Sequence, residues 1–282
     1  MIMTPEEEKL RLPSDLSQTG TVARYELLKH LRSKRLLGIF ALEIIIVILI
    51  MAIPPLRGRE YPSDPADFVQ MFTQWVWVLI IVGTTLFAGD SLVSEFQSRT
   101  GYLLFPNPVK RRVLFAGKFA ATLAIIFIAL AVFYAIVSML AIAVDGSVPG
   151  LTASSFGLAM LFAVSASAVG YLISSVMKGS TGALVLTFAL LFLIFPIADG
   201  VLTVSQVKPE FSLTFSANVI NEIMETPYPT DFTQVFQLPG GGTFELTSYY
   251  PNVGTAILVA LIYAAAALAV SLWLFNRREM AA

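Results

Sequence analysis

Residues 119–144 read FAATLAIIFIALAVFYAIVSMLAIAV, an apolar run with no charge, closed by Asp145-Gly146. Crossing the roughly 30 Å hydrocarbon core of a bilayer takes about 20 helical residues. In that medium the backbone must satisfy its own hydrogen bonds, as a helix does. The run is therefore read as a membrane-spanning helix, and five more of its kind lie to either side. Residues 36–53 end at Pro54-Pro55 and hold one acid, Glu43. Residues 71–88 are charge-free. Residues 156–176 are rich in Ala, Ser and Gly, residues 179–198 end at Asp199-Gly200, and residues 253–275 precede Arg277-Arg278. Composition agrees. The chain is 56% hydrophobic and 13% charged with a mean hydropathy of +0.77, whereas a soluble domain carries about 25% charge. The expected fold is an all-α membrane protein with six transmembrane helices, forming one domain over residues 21–282 after a disordered tail over residues 1–20.

Fifteen of the eighteen Lys and Arg residues fall on one side of this arrangement: before the first span, between spans two and three, at Lys178, and after the sixth span. Only Arg57, Arg59 and Lys208 fall on the other. The positive-inside rule then places both termini in the cytoplasm of a multi-pass plasma-membrane protein. The first run is too long for a signal-peptide core and should stay as an anchor. A net charge of −1 gives no case for nucleic acid. With no cysteine and one histidine, His30, thiolate chemistry, Ser-His-Asp chemistry and His-based metal sites are excluded. No cofactor is expected in the chain. Residues 21–35 read as an amphipathic helix, with Val22, Tyr25, Leu28 and Leu31 on one stripe and Lys29, Arg32 and Arg35 beside it. It either lies against membrane lipid or sets topology next to the first span.

Two loops are long. The inner one, residues 90–118, runs from Asp90, a candidate N-cap, through Leu92, Val93 and Phe96, which share a face of a short helix. It continues to turns at Thr100-Gly101 and Asn107-Pro108 and to the basic run Lys110-Arg111-Arg112. This loop resembles that of the ABC-2 type membrane permeases of ATP-binding-cassette transporters. That pattern has an acid at the end of helix two, a Glu five residues on, a Gly/Thr pair, a Pro-x-x-Arg and a Gly-Lys at helix three. Here they are Asp90, Glu95, Thr100-Gly101 (the pair in reverse order), Pro108 with Arg111, and Gly117-Lys118. The resemblance extends to the basic N-terminal helix Ala23-Arg24-Tyr25-Glu26-Leu27-Leu28-Lys29, the six spans and the cytoplasmic termini. It implies a cytoplasmic coupling helix between helices two and three that docks on a separate ATPase subunit. It also implies a dimer with a second permease copy or homologue, and export. Asp90, Glu95, Thr100, Gly101, Pro108, Arg111 and Lys118 are then the candidate coupling residues.

The residues agree that ATP chemistry belongs elsewhere. A P-loop needs Gly-x-x-x-x-Gly-Lys-Ser/Thr; at Gly117-Lys118 the upstream position is Arg112 and Phe119 follows. Neither His-Glu-x-x-His nor Gly-x-Ser-x-Gly occurs. Glu43, the one ionisable group well inside a span, is a candidate functional acid because a buried carboxylate is costly. In the fourth span Ala159, Ala163 and Ser167, and Ala166, Gly170 and Ser174, form two small-residue faces for close helix packing. The outer segment, residues 199–252, holds a helical stripe within residues 216–225 and a hairpin within residues 237–250, centred on Gly240-Gly241-Gly242. It is either a lid or docking cap, or a plain loop. The competing functions are a non-transporting membrane scaffold or assembly factor, and an ion-coupled secondary carrier. The carrier is disfavoured by the scarcity of charge in the spans and the lack of half-repeats.

Overall fold

The structure, a computed structural model, describes residues 14–97, 110–237 and 243–278. Among the described residues six spans are long and apolar enough to cross a membrane, so the chain is a multi-pass membrane protein. Helix α1 (Asp15–Leu31) starts where the Ser14 side chain accepts from the Ser17 amide, with Asp15 in its first turn and Lys29 in its last, charges that suit the helix dipole. The expected disordered tail over residues 1–20 is corrected only for residues 15–20, which are helical; residues 1–13 lie outside the described residues. The expected helix over residues 21–35 stops at Leu31, and α2 (Lys34–Leu56) begins the first span.

The second span is two helices, α3 (Pro65–Thr73) and α4 (Val76–Phe87). Asp64 caps α3 with Pro65 at its first position, where a missing N–H costs nothing. After the short α5 (Val93–Gln97) comes α6 (Arg111–Asp145), 35 residues long and closed by Gly146 at φ 76°. At 1.5 Å per residue α6 is about 52 Å long, far more than the bilayer core needs. It begins eight residues before the expected run, so Gly117-Lys118 lie two turns inside it rather than opening it. Helix α7 (Leu151–Val176) is the fourth span. The fifth is α8 (Ser180–Phe188), a π-helical stretch (Ala189–Ile194) and α9 (Phe195–Val204), running past the expected stop at Asp199. Pro196 lacks a donor, and the wider π-turn before it accommodates the break. The sixth span is α12 (Val253–Arg277), capped by Asn252, whose side chain accepts from the Gly254 and Thr255 amides.

Helix α7 is the centre of the bundle, packed on α12, α4, α6 and α8. Both of its small faces are buried, which fits close approach within one chain. An outward face of α2, with Ile44, Ile45, Ile48 and Leu49 exposed, is left for lipid. Six spans put both termini at one end, called the near end below. The far end carries α10 (Leu213–Ala217) and α11 (Val219–Glu222), two short helices where one was expected, and an antiparallel hairpin of β1 (Phe232–Gln237) and β2 (Thr243–Ser248). The hairpin was expected within residues 237–250; its first strand lies earlier, in a polar-apolar stretch that gave no turn signal. Thr73 and Gln70, at the break in the second span, bond Asn221 and Glu225 and so tie this cap to α3.

Candidate functional site

Most of the expected coupling residues gather at the near end. Helix α1 lies across α6 because residue 117 has no side chain: a Cβ on Gly117 would stand 2.7 Å from Val22 and 2.9 Å from the Thr19 carbonyl. The next residue, Lys118, then reaches two acids from two other elements. Its Nζ is 2.6 Å from Oε1 of Glu26 on α1 and 2.7 Å from Oε1 of Glu95 on α5. The lysine side chain is 4% exposed and the acids 17% and 11%. Two carboxylates around one ammonium, out of water, are tolerable only while the ammonium is present to replace the hydration they have lost. Burial pushes the Glu26 carboxyl up, but Lys118 beside it, helped by Lys29, holds it below the ordinary carboxylate range. The Lys29 contact is 3.3 Å and largely exposed, so it adds little.

A second pair stands next to this triad. Arg35, on the first turn of α2, donates to the Asp90 carboxylate and, at 2.7 Å, to the Leu86 carbonyl at the end of α4. The expected N-cap role of Asp90 is therefore corrected. Its carbonyl accepts from the Ser94 amide, while its carboxylate serves Arg35. Between Asp90 and α5 the chain is pinned to α7. Ser91 meets the Tyr171 hydroxyl at 2.6 Å, Thr122 meets it at 3.1 Å, and the amides of Leu92 and Val93 both donate to the Ser174 hydroxyl at 3.0 Å. Leu92 and Val93 are fully buried. This first part of the loop is thus packed in the bundle, because Ser174 supplies the acceptor its free amides need.

The described flanks of the loop are fastened too. Gln97 accepts from the Ser180 amide at 2.8 Å, and Lys110 pairs with Asp15 at 2.8 Å. Arg111, a candidate coupling residue, donates to the carbonyls of Phe275, Asn276 and Arg278 at the end of α12. Arg278 in turn donates to Ser174, Ser175 and Met177 at the end of α7. Arginine forks suit such rows of unpaired carbonyls. Thr100, Gly101 and Pro108 lie outside the described residues. Glu43 is apart from the cluster, in the middle of α2. Sequence reasoning did not pick Glu26 as a site residue; an acid in an otherwise basic stripe was the only signal.

His30 closes the α1 end of the site, its ring edge-on to Phe87 at 5.0 Å. Burial depresses its pKa from 6.5 to about 4. A folded-state value below the unfolded one means that docking of α1 is fully stabilised above pH 6.5 and weakens as the pH falls toward 4. Protease protection of α1 should fall over that window, and His30→Gln should flatten the profile; an unchanged profile would show that His30 does not govern docking.

The site therefore contains paired charges, caps and hydrogen-bonded hydroxyls, and among the described residues no cluster fit to hold a metal ion. Its arrangement fastens one inner loop to α1, α2, α6, α7, α8 and α12, which suits the transfer of force rather than covalent chemistry. No curated protein matches the chain. The family described as ABC-2 family transporter protein matches residues 20–280, nearly the whole chain, and the protein belongs to it: a membrane-spanning permease component that works with an ATP-binding-cassette subunit.

Proposed function

We propose that the chain is the permease subunit of an exporter in the plasma membrane, with both termini cytoplasmic. It moves substrate by alternating access, driven by ATP binding and hydrolysis in the partner, and it pairs with a second permease copy or homologue. The observation that carries this is Lys118 held between Glu26 and Glu95. Through it, any push on the loop reaches the third span and the interfacial helix together. Arg35 and Asp90 extend the same linkage to the first two spans. The orientation rests on the split of Lys and Arg, and α1, with Tyr25, Leu28 and Leu31 exposed, is suited to lie on lipid. Reporter fusions at Ala282 and within residues 218–237 are expected on opposite sides of the membrane; the same side for both would overturn the topology.

The test of coupling is Glu95→Ala. Truncating one member of a buried charge pair costs roughly 2–5 kcal/mol, but Lys118 here keeps Glu26 as a neutralising partner, so the bundle should survive. What is lost is the tie between α5 and α6. ATPase co-purified per permease, or hydrolysis coupled to transport in proteoliposomes, is expected to fall while detergent stability changes little. Full assembly and full coupling would make the loop a structural element only and favour a scaffold. The purified chain alone should not hydrolyse ATP; turnover in a preparation free of other ATPases would refute that.

A further inference from the structure

Glu43 is 1% exposed, and neither of its carboxyl oxygens has a hydrogen-bond partner among the described residues. It lies eight residues, about 12 Å, along α2 from Arg35, inside the hydrocarbon region on the near side. One turn earlier, Ile39 meets Gly83 of α4 and Ile126 of α6: a Cβ on Gly83 would stand 3.8 Å from Ile39 and 3.6 Å from Ile126. The neighbours shown there, Gly83 and Ile126, are apolar, and the nearest polar groups in sequence on α4, the Thr84 and Thr85 hydroxyls, are neutral.

The helices packed chiefly against α2 are α1, α3, α4 and α6, and none brings a charge to it. Helix α4 has no ionisable residue. On α6, Arg111, Arg112 and Lys118 are at the near end, Asp145 is at the far end, and between them only Tyr134 titrates, its hydroxyl 2.8 Å from Ser155. Asp67 is in the first turn of α3 at the far end. Asp15, Arg24, Tyr25, Glu26, Lys29 and His30 of α1 are at the near end, as are Lys34 and Arg35 of α2 itself. Tyr61, after α2, donates to the Met51 carbonyl. An isolated carboxylate in such a place would cost several kcal/mol or more, and the neutral acid far less.

We propose that Glu43 is a proton-binding site. The carboxyl is held as the neutral acid while α2 is closed on α4 and α6, and it exchanges its proton when these helices part. On opening, the Glu43 O–H bond breaks, the electron pair stays on the carboxylate, and the proton passes to an entering water molecule; closing reverses the step. The lever is already attached, since Arg35 on α2 is bonded to Asp90 and to the end of α4, where the loop begins. This last link rests on the proposed coupling to an ATPase.

The wild-type minus Glu43→Gln infrared difference spectrum of the permease–ATPase complex in nanodiscs, at neutral pH, is the test. Glutamine keeps the shape and is neutral, so both proteins should fold. The spectrum should show the carbonyl band of a protonated carboxyl, and ATP turnover should speed its shift in deuterated water by about tenfold or more, as expected when exchange waits on a minor open state. Carboxylate bands in place of the acid band would overturn the site, and equally fast exchange with and without ATP would overturn the gating. Failure of the ATPase to co-purify would instead count against the proposed function, and the band recorded on the chain alone would still decide the protonation of Glu43.

Discussion

Replacing Lys118 by methionine is expected to destabilise the near end of the bundle by about 3–5 kcal/mol, the cost of leaving buried charges without their counter-ion. The change is larger than for Glu95→Ala because two acids lose their buried counter-ion, whereas Glu95→Ala leaves Lys118 paired with Glu26. The loss should depend on pH with a definite sign. In the wild type Lys118 holds Glu26 below its ordinary range against the effect of burial. Without the lysine, burial prevails and the folded-state value rises above the unfolded one. Such a group contributes fully below the unfolded value of about 4.5 and its contribution is lost as the pH rises. Thermal unfolding in detergent should show Lys118→Met closest to wild type in mild acid and furthest from it above neutrality. Adding Glu95→Gln to Lys118→Met should restore part of the loss. A Lys118→Met protein as stable as wild type at neutral pH would mean that the triad is solvated and carries no load.

Gly170→Val is expected to disrupt the packing of α7 on α4. A Cβ at residue 170 stands 2.9 Å from the Ala88 Cβ, 3.2 Å from the Thr84 methyl and 3.4 Å from the Gly89 amide nitrogen. These atoms belong to the end of α4 and the chain just after it, which cannot swing aside as the tip of a long side chain can. Overpacking costs about 1–3 kcal/mol, occasionally more, and valine's two extra methyls place it at the upper end. The same substitution at Gly157 of the same helix meets nothing within 4 Å and should cost little. A lowered unfolding temperature for Gly170→Val beside an unchanged one for Gly157→Val is the expected readout. Equal behaviour of the two would argue against close α4–α7 packing.

The spans were legible because the bilayer demands one composition over some 20 residues, and no other constraint in the chain imitates it. Ends set by a local signal were legible too, such as Asp145-Gly146 and the start of the sixth span at Val253. The break at Gln74-Trp75 was not: both halves are apolar, and the cause lies 148 residues away in the bond from Thr73 to Asn221. The extension of α6 below the hydrocarbon was hidden because its first turns carry the charges that a search for apolar runs excludes. In the site, Glu95 and Lys118 were singled out from spacing, but their third partner was not. Glu26 is 92 residues from Lys118, and local periodicity does not encode which distant acid a lysine will meet. Arg111 was singled out for a pattern and found capping a helix, since the free carbonyls of α12 become neighbours only once the bundle has closed.

The bonds from Arg111 to residues 275, 276 and 278, and from Arg278 to the end of α7, set an order on the making of the protein. When α6 and α7 leave the ribosome, their near ends have donors and acceptors whose partners do not yet exist. Water must serve them until α12 is inserted and the residues just after it are translated. The residues at the end of α12 and just after it therefore act as a latch. A nascent chain stopped before Arg278 would hold all six spans in the bilayer with α7 lacking its arginine cap, a form for quality-control proteases to distinguish from the finished fold.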